Sequence, residues 1–263
     1  MNFWTFRSNV IKRRNIFKKL YCIPYGILPI SYKKKYIWLI PLRRKIYSNP
    51  ILAFDMSSID SYWEIFLDKS YETHYTIKPG DTIMDIGAYI GIFSIRSARI
   101  VGDKGKVISI EPEPSNIKLL RLNTRNLKNI KIIPKAVGAS SGQIELIKGI
   151  HSGAHHIKNN KIKHNAIKVI MVPIDTIDNI VKKLNITKID FVKIDVEGYE
   201  LEVLNGALNT LERINNFSIA SYHLKDSKGQ IFNFLKDKKF NVIAGKDKIY
   251  ASNSNFQDKI FEK

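Results

Sequence analysis

The chain is poor in cysteine: one residue, Cys22, among 263. A single thiol excludes an intrachain disulfide framework and any cysteine-based zinc cage. Long apolar runs are also missing. The longest stretches, Tyr21–Ile30 and Tyr36–Leu42, are too short to cross a bilayer and contain Pro24, Pro29 and Pro41. No apolar run with a small-residue cleavage site follows the basic start, so no secretory signal is read. Acid is absent from the first 50 residues, where Asp55 is the first to appear in the chain. Those 50 residues hold twelve Lys and Arg and ten aromatic residues. Of the formal +19, only +7 is spread over the other 213 residues. What is present is enough apolar material for a core, 44% of the chain, which excludes wholesale disorder.

The basic segment has three readings. Cations interleaved with rings suit an anionic membrane surface, which residues 1–50 would meet. They also suit a nucleic-acid backbone. A solvated, partly helical extension is the third. We divide the chain into a basic, aromatic-rich extension, 1–65, and a folded domain, 66–263.

From residue 80 onward the pattern is regular. Asp81–Ile86, Lys106–Ile110, Ile130–Ile133, Ile189–Ile194 and Phe217–Tyr222 read as short buried strands. Helical spacing fills Tyr89–Val101, Ser115–Leu127, Asp175–Leu184, Glu200–Leu211 and Gln230–Asp237. Ser115 is the expected N-cap of its helix, with Leu119, Leu120, Leu122 and Leu127 available for the core. Gly142–Ile147 and Ala166–Val172 read as paired extended segments around a polar loop, His151–His164. Phe240–Ala244 and Lys248–Ala251 read as a closing hairpin. Alternating strands and helices imply an α/β, Rossmann-like, mostly parallel sheet with a C-terminal antiparallel hairpin.

The sharpest motif is Asp85-Ile86-Gly87-Ala88-Tyr89-Ile90-Gly91, at the turn from the first strand of this domain into its first helix. Gly87 permits a tight turn and Gly91 a close helix approach. Glu111 ends the next strand, where an acid can accept hydrogen bonds from both ribose hydroxyls of an adenosine cofactor. The pattern is D-x-G-x-x-x-G rather than a dinucleotide fingerprint. A carboxylate at Asp85 opposes pyrophosphate but suits an ammonium, such as the amino-acid end of S-adenosylmethionine.

The runs TIMDIGAYIGIFSI, GKVISIEPEPSNIKLLRLNTRN, VPIDTID and FVKIDVEGYELEVLNGA resemble the FkbM-type S-adenosylmethionine-dependent methyltransferase family. The resemblance runs from about Glu72 to Tyr250. It implies a seven-stranded class I methyltransferase fold with S-adenosyl-L-methionine as cofactor. It implies cofactor contacts at Asp85, Gly87, Ala88, Tyr89, Gly91, Glu111, Pro112, Asn116, Ala136 and Val137, with Tyr71 and Glu72 closing over the site. In place of the Asn or Phe frequent in the family's loop, this chain has Tyr89.

Asp195, Glu197 and Glu200 follow the strand Ile189–Ile194, at the carboxyl edge where such sheets bind ligands. Asp195 is placed beside the transferring methyl as a cofactor contact. As catalytic residues we read Asp195, Glu197 and His223, His223 as a base with a pKa suited to pH 7. Asp195, Glu197 and His223 could instead hold one divalent metal. Glu200 reads as a solvated helix-start charge. His151, His155 and His156 match no standard metal spacing and suit a substrate-facing lid.

The expected activity is O-methylation of a small-molecule, glycan or glycolipid hydroxyl, in the cytoplasm or peripherally at a membrane. An RNA methyltransferase using the basic segment is the alternative. It is disfavoured because none of the nine prolines are adjacent, so no Pro-Pro motif for amino-group methylation exists, and Cys22 lies outside the fold.

Overall fold

The computed structural model describes residues 28–32, 35–41, 51–54, 59–149, 155–158, 168–223 and 226–254. The chain forms two compact units, Met1–Met56 and Ser57–Lys263. In the first, β1 (Leu28–Tyr32), β2 (Lys35–Pro41) and β3 (Ile51–Phe54) form an antiparallel sheet in sequential order. The basic segment therefore carries strands where a partly helical extension was one reading. No helix among the described residues is long and apolar enough to cross a membrane.

The second unit opens with α1 (Ile59–Tyr62), which runs on into a π-turn. It then alternates β4 (Thr82–Ile86), α2 (Ile92–Val101), β5 (Lys106–Ile110), α3 (Pro114–Thr124) and β6 (Ile130–Ile133). Next come β7 (Ala136–Val137), β8 (Gly142–Lys148), β9 (His156–Ile157) and β10 (Lys168–Asp175). The chain continues through α4 (Ile177–Lys183), β11 (Phe191–Ile194), α5 (Glu200–Asn205), β12 (Asn216–Ala220) and α6 (Ser227–Asp237). It closes with β13 (Phe240–Ala244) and β14 (Lys248–Asn253).

Seven strands form one sheet in the order β13-β14-β12-β11-β4-β5-β6. β12, β11, β4, β5 and β6 are parallel, and β14 runs antiparallel to both β12 and β13. Every residue of β11 is buried and only the first residue of β4 and β5 is not, as expected of strands covered on both faces. The expected extended pair is real but lies outside this sheet. β8 and β10 pair antiparallel in a separate four-stranded sheet ordered β7-β10-β8-β9.

Helix starts differ from expectation in instructive ways. α3 is capped by Glu113 rather than Ser115: its carboxylate accepts the Asn116 amide at 2.7 Å, and Pro114 occupies the first turn, where its missing N–H costs nothing. The buried face is therefore Asn116, Ile117, Leu120, Asn123 and Thr124, while Leu122 is exposed. α2 begins at Ile92 because Tyr89 (φ 54°) and Gly91 (φ 90°) are both left-handed, a conformation that helices exclude.

Candidate active site

A cleft opens at the carboxyl ends of β4, β5 and β11, the edge where open α/β sheets bind ligands. One wall is the glycine loop. The amides of Gly87 and Ala88 both donate to the Ile110 carbonyl at 3.0 Å, hooking the loop over the end of β5. Gly87 has φ 76°, and a Cβ there would lie 1.9 Å from the Asp195 carbonyl oxygen. The glycine thus lets the ends of β4 and β11 close together. Gly91 serves packing too: a Cβ on it would strike Leu120 of α3 at 2.5 Å, and the residue is not on the cleft wall.

Glu111 is the anchor of this wall. Its Oε2 accepts the Tyr89 amide at 2.9 Å, and Oε1 accepts the Glu113 amide at 3.0 Å and Asn116 Nδ2 at 3.3 Å. Three donors leave about one acceptor direction of a carboxylate unspent. Burial lifts its pKa to about 7, against the pull of the Glu113 and Tyr89 amides and the Asn116 side chain. Pro112, Ala136, Val137, Leu146 and Ile157 line the neighbouring wall, giving it an apolar surface suited to a purine ring. His155 and His156 lie on the wall as well, His156 buried within β9; His151 lies outside the described residues.

Besides Gly91, two further expected contacts stand off the cleft wall, Asp85 and Glu72. Asp85 is wholly buried and absent from the cleft wall. Its Oδ2 accepts Ser94 Oγ at 2.6 Å, and the ammonium it faces is that of Lys193, 3.1 Å from Oδ1. Burial raises its pKa, with Lys193 opposing. Glu72 is likewise off the wall, because it forms a buried ion pair with Arg96. Tyr71, its neighbour, is on the wall, and its hydroxyl donates to Asp195 Oδ2 at 2.8 Å.

Lys193 was missed in the sequence because it reads as one residue of a strand. It is buried, donates to the Gly87 carbonyl at 2.9 Å and lies 3.8 Å from Asp195 Oδ2. Asp85 and Asp195 hold its pKa up against burial. One ammonium thus ties the glycine loop to the first acid of the second motif. The only sequence signal was a lysine within an otherwise apolar strand.

The far end of the cleft gathers Asp195, Glu197, Tyr222 and Glu64. Glu200 is not solvated. It is 1% exposed, and its Oε1 accepts His223 Nδ1 at 2.8 Å and the Gly198 amide at 3.1 Å. His223 Nε2 lies 3.5 Å from Glu197 Oε1 and 3.7 Å from Asp195 Oδ1. Burial lowers the His223 pKa, but these carboxylates outweigh it and lift the value to about 11. His223 is therefore an imidazolium at neutral pH, which corrects its reading as a base. Asp195 remains ionised: burial raises its pKa, but Lys193, His223 and Tyr71 together hold it below the ordinary value. Ligand atoms of Asp195, Glu197 and His223 lie within 4.8 Å of one another, but a metal there must first displace the imidazolium proton. Glu197 has φ 56°, a left-handed backbone at the cleft wall like that of Tyr89.

Fold and site together define a class I methyltransferase domain. The family model described as the methyltransferase FkbM domain matches residues 85–242, and the chain belongs to that family. The chain is 30% identical over 166 residues to the hexuronic acid methyltransferase AglP of Haloferax volcanii, covering 62% of this chain and 64% of that protein. It is 26% identical over 220 residues to the 31-O-demethyl-FK506 methyltransferase FkbM of Streptomyces tacrolimicus, covering 72% of this chain and 84% of that protein. Among solved structures, a methyltransferase FkbM from Methylobacillus flagellatus superposes with a TM-score of 0.50 at 16% identity, over 73% of this chain and 47% of that one. The match thus spans less than two thirds of the first relative and about half of that structure.

Proposed function

We propose that the protein is an S-adenosylmethionine-dependent O-methyltransferase acting on a hydroxyl of a glycan, glycolipid or secondary metabolite. One observation carries the reading: a single cleft has Glu111 with an unspent acceptor direction at one end and, at the other, Asp195 Oδ1, buried without a hydrogen-bond partner among the described residues. The residues fit the cofactor. Glu111 would hold the ribose, and Pro112, Ala136 and Val137 would flank the base. When bound, S-adenosylmethionine supplies a methyl group on a sulfonium leaving group.

The chain's own part is positioning and proton transfer. Tyr71 and Lys193 fix Asp195 Oδ2, which leaves Oδ1 to accept the acceptor's hydroxyl proton. A low pKa does not disqualify Asp195 as the base. As the new C–O bond forms, the hydroxyl becomes an oxonium far more acidic than any carboxylic acid. His223, held by Glu200, supports the charge on Asp195 and Glu197.

Calorimetry with S-adenosylmethionine is the test: one-to-one binding supports the reading, and no binding to folded protein ends it. Addition of EDTA, with no loss of turnover expected, tests the metal alternative. The RNA alternative is weaker because the chain beyond residue 50 carries only +7 and no adjacent prolines for amino-group methylation, and Cys22 lies outside the fold. We infer for that segment contact with an anionic, cytoplasm-facing membrane surface. Flotation of the full chain with phosphatidylserine vesicles, lost on neutralising Arg13, Arg14, Lys18 and Lys19, tests that contact.

A further inference from the structure

The acceptor end of the cleft is an arrangement of matched charges with two left over. Lys193 faces Asp85, Lys248 pairs with Glu64, and His223 is bound to Glu200. With those three pairs cancelled, Asp195 and Glu197 remain without a cation of their own among the described residues. The arrangement is also layered. The side chains of Lys193, Lys248 and His223 are 4%, 6% and 6% exposed, whereas those of Asp195, Glu64 and Glu197 are 24%, 31% and 34% exposed. A molecule entering from solvent meets carboxylates, with the cations behind them. The sulfonium of a bound cofactor offsets one of the two surplus charges and leaves the other.

Among the described residues, two buried polar atoms lack hydrogen-bond partners here: Asp195 Oδ1 and His223 Nε2, 3.7 Å apart. One is an acceptor and the other, on an imidazolium, a donor. A hydroxyl satisfies both at once, donating to Asp195 and accepting from His223. A carboxylate satisfies only His223 and is set against Asp195 and Glu197. Beside them Tyr222, 54% exposed, offers a ring face on the cleft wall. Such a ring suits the C–H face of a sugar while its hydroxyls meet the acids.

We propose that this end of the cleft selects an uncharged polyhydroxy acceptor, a neutral sugar ring, over one bearing a carboxylate. The proposal rests on the methyltransferase reading. It is the opposite preference to the acid named for the Haloferax relative.

The test uses the full chain with S-adenosylhomocysteine bound, as verified by calorimetry. Methyl β-D-glucopyranoside and methyl β-D-glucuronide share one ring and differ in a hydroxymethyl or a carboxylate. Saturation-transfer NMR and competition rank their binding, and radiolabelled S-adenosylmethionine reports transfer. The expected result is a preference for the glucoside of at least tenfold, narrowed severalfold by Glu197→Gln and reversed by Glu197→Lys. The isosteric Gln variant keeps the test open where the Lys variant does not fold. Equal or stronger binding of the glucuronide overturns the proposal. So does binding of neither sugar, or a preference that Glu197→Gln leaves unmoved. If S-adenosylhomocysteine itself does not bind, the methyltransferase reading has failed, and this proposal falls with it.

Discussion

The two ends of the cleft are built by different means. The Glu111 end, where we place the cofactor, is set by backbone: two amides on the Ile110 carbonyl, left-handed residues at Gly87, Tyr89 and Gly91, and a carboxylate held by the Tyr89 and Glu113 amides. The acceptor end is set by side-chain charges joined across the fold. Tyr71 reaches Asp195 over 124 residues, Lys193 reaches Gly87 over 106, and Lys248 reaches Glu64 over 184. The first end is a shape that few residues can adopt. The second is a balance of charges that fails when one member is removed. Substitutions should therefore fail at the first through sterics and at the second through unpaired charge.

The largest effect is expected at the point where both ends touch. Gly87→Ala places a methyl on the Asp195 carbonyl in a left-handed residue. It should cost roughly 3 kcal/mol or more of stability and abolish cofactor binding, read by thermal melts and calorimetry. Lys193→Met should cost about 3–5 kcal/mol, because it strands the buried Asp85. Adding Asp85→Asn should restore much of that stability but not turnover, since Asp195 and the Gly87 carbonyl remain unsupported. Recovery of both would show that Lys193 only balances charge.

Asp195→Asn should lower kcat by about 10²–10⁴-fold while S-adenosylhomocysteine affinity changes little. A matching loss of affinity would shift Asp195 from the acceptor end to the cofactor end. Smaller effects are expected in pH dependence. The Glu111 pKa is raised to about 7, so the native state holds its proton more tightly than the unfolded chain. Stability without cofactor should then fall as pH rises from about 4.5 toward 7, and Glu111→Gln should flatten that slope. For His223 the raised value near 11 contributes stability that is complete below about 6.5 and lost as pH rises through 11. Imidazole NMR shifts should accordingly show no titration between pH 6 and 9, and Glu200→Gln should bring the titration into view.

Much of the Glu111 wall of the cleft was legible in the sequence, because its devices belong to one strand–turn–helix–strand unit. Gly87, Glu111, Pro112 and Asn116 sit at offsets fixed by one strand–turn–helix–strand unit, and the parallel sheet follows from the apolar strands. The roles of Asp85 and Glu72 were not legible: each is decided by a cation, Lys193 or Arg96, that the chain brings from elsewhere. His223 shows the same limit. Its type suggested a base near neutrality, and only the folded position beside Glu200, Glu197 and Asp195 makes it a fixed cation. Glu200 read as a helix-start charge in solvent because only the folded chain brings His223, 23 residues on, to its carboxylate.

We propose that one cleft holds S-adenosylmethionine at Glu111 and presents its methyl to an acceptor hydroxyl held at Asp195. Calorimetry of S-adenosylhomocysteine with the wild type, Glu111→Ala and Asp195→Asn tests it most directly. One-to-one binding is expected of the wild type, a loss of at least tenfold in affinity of Glu111→Ala, and near-wild-type binding of Asp195→Asn. Absence of binding by the folded wild type, or unchanged affinity in Glu111→Ala, would contradict it.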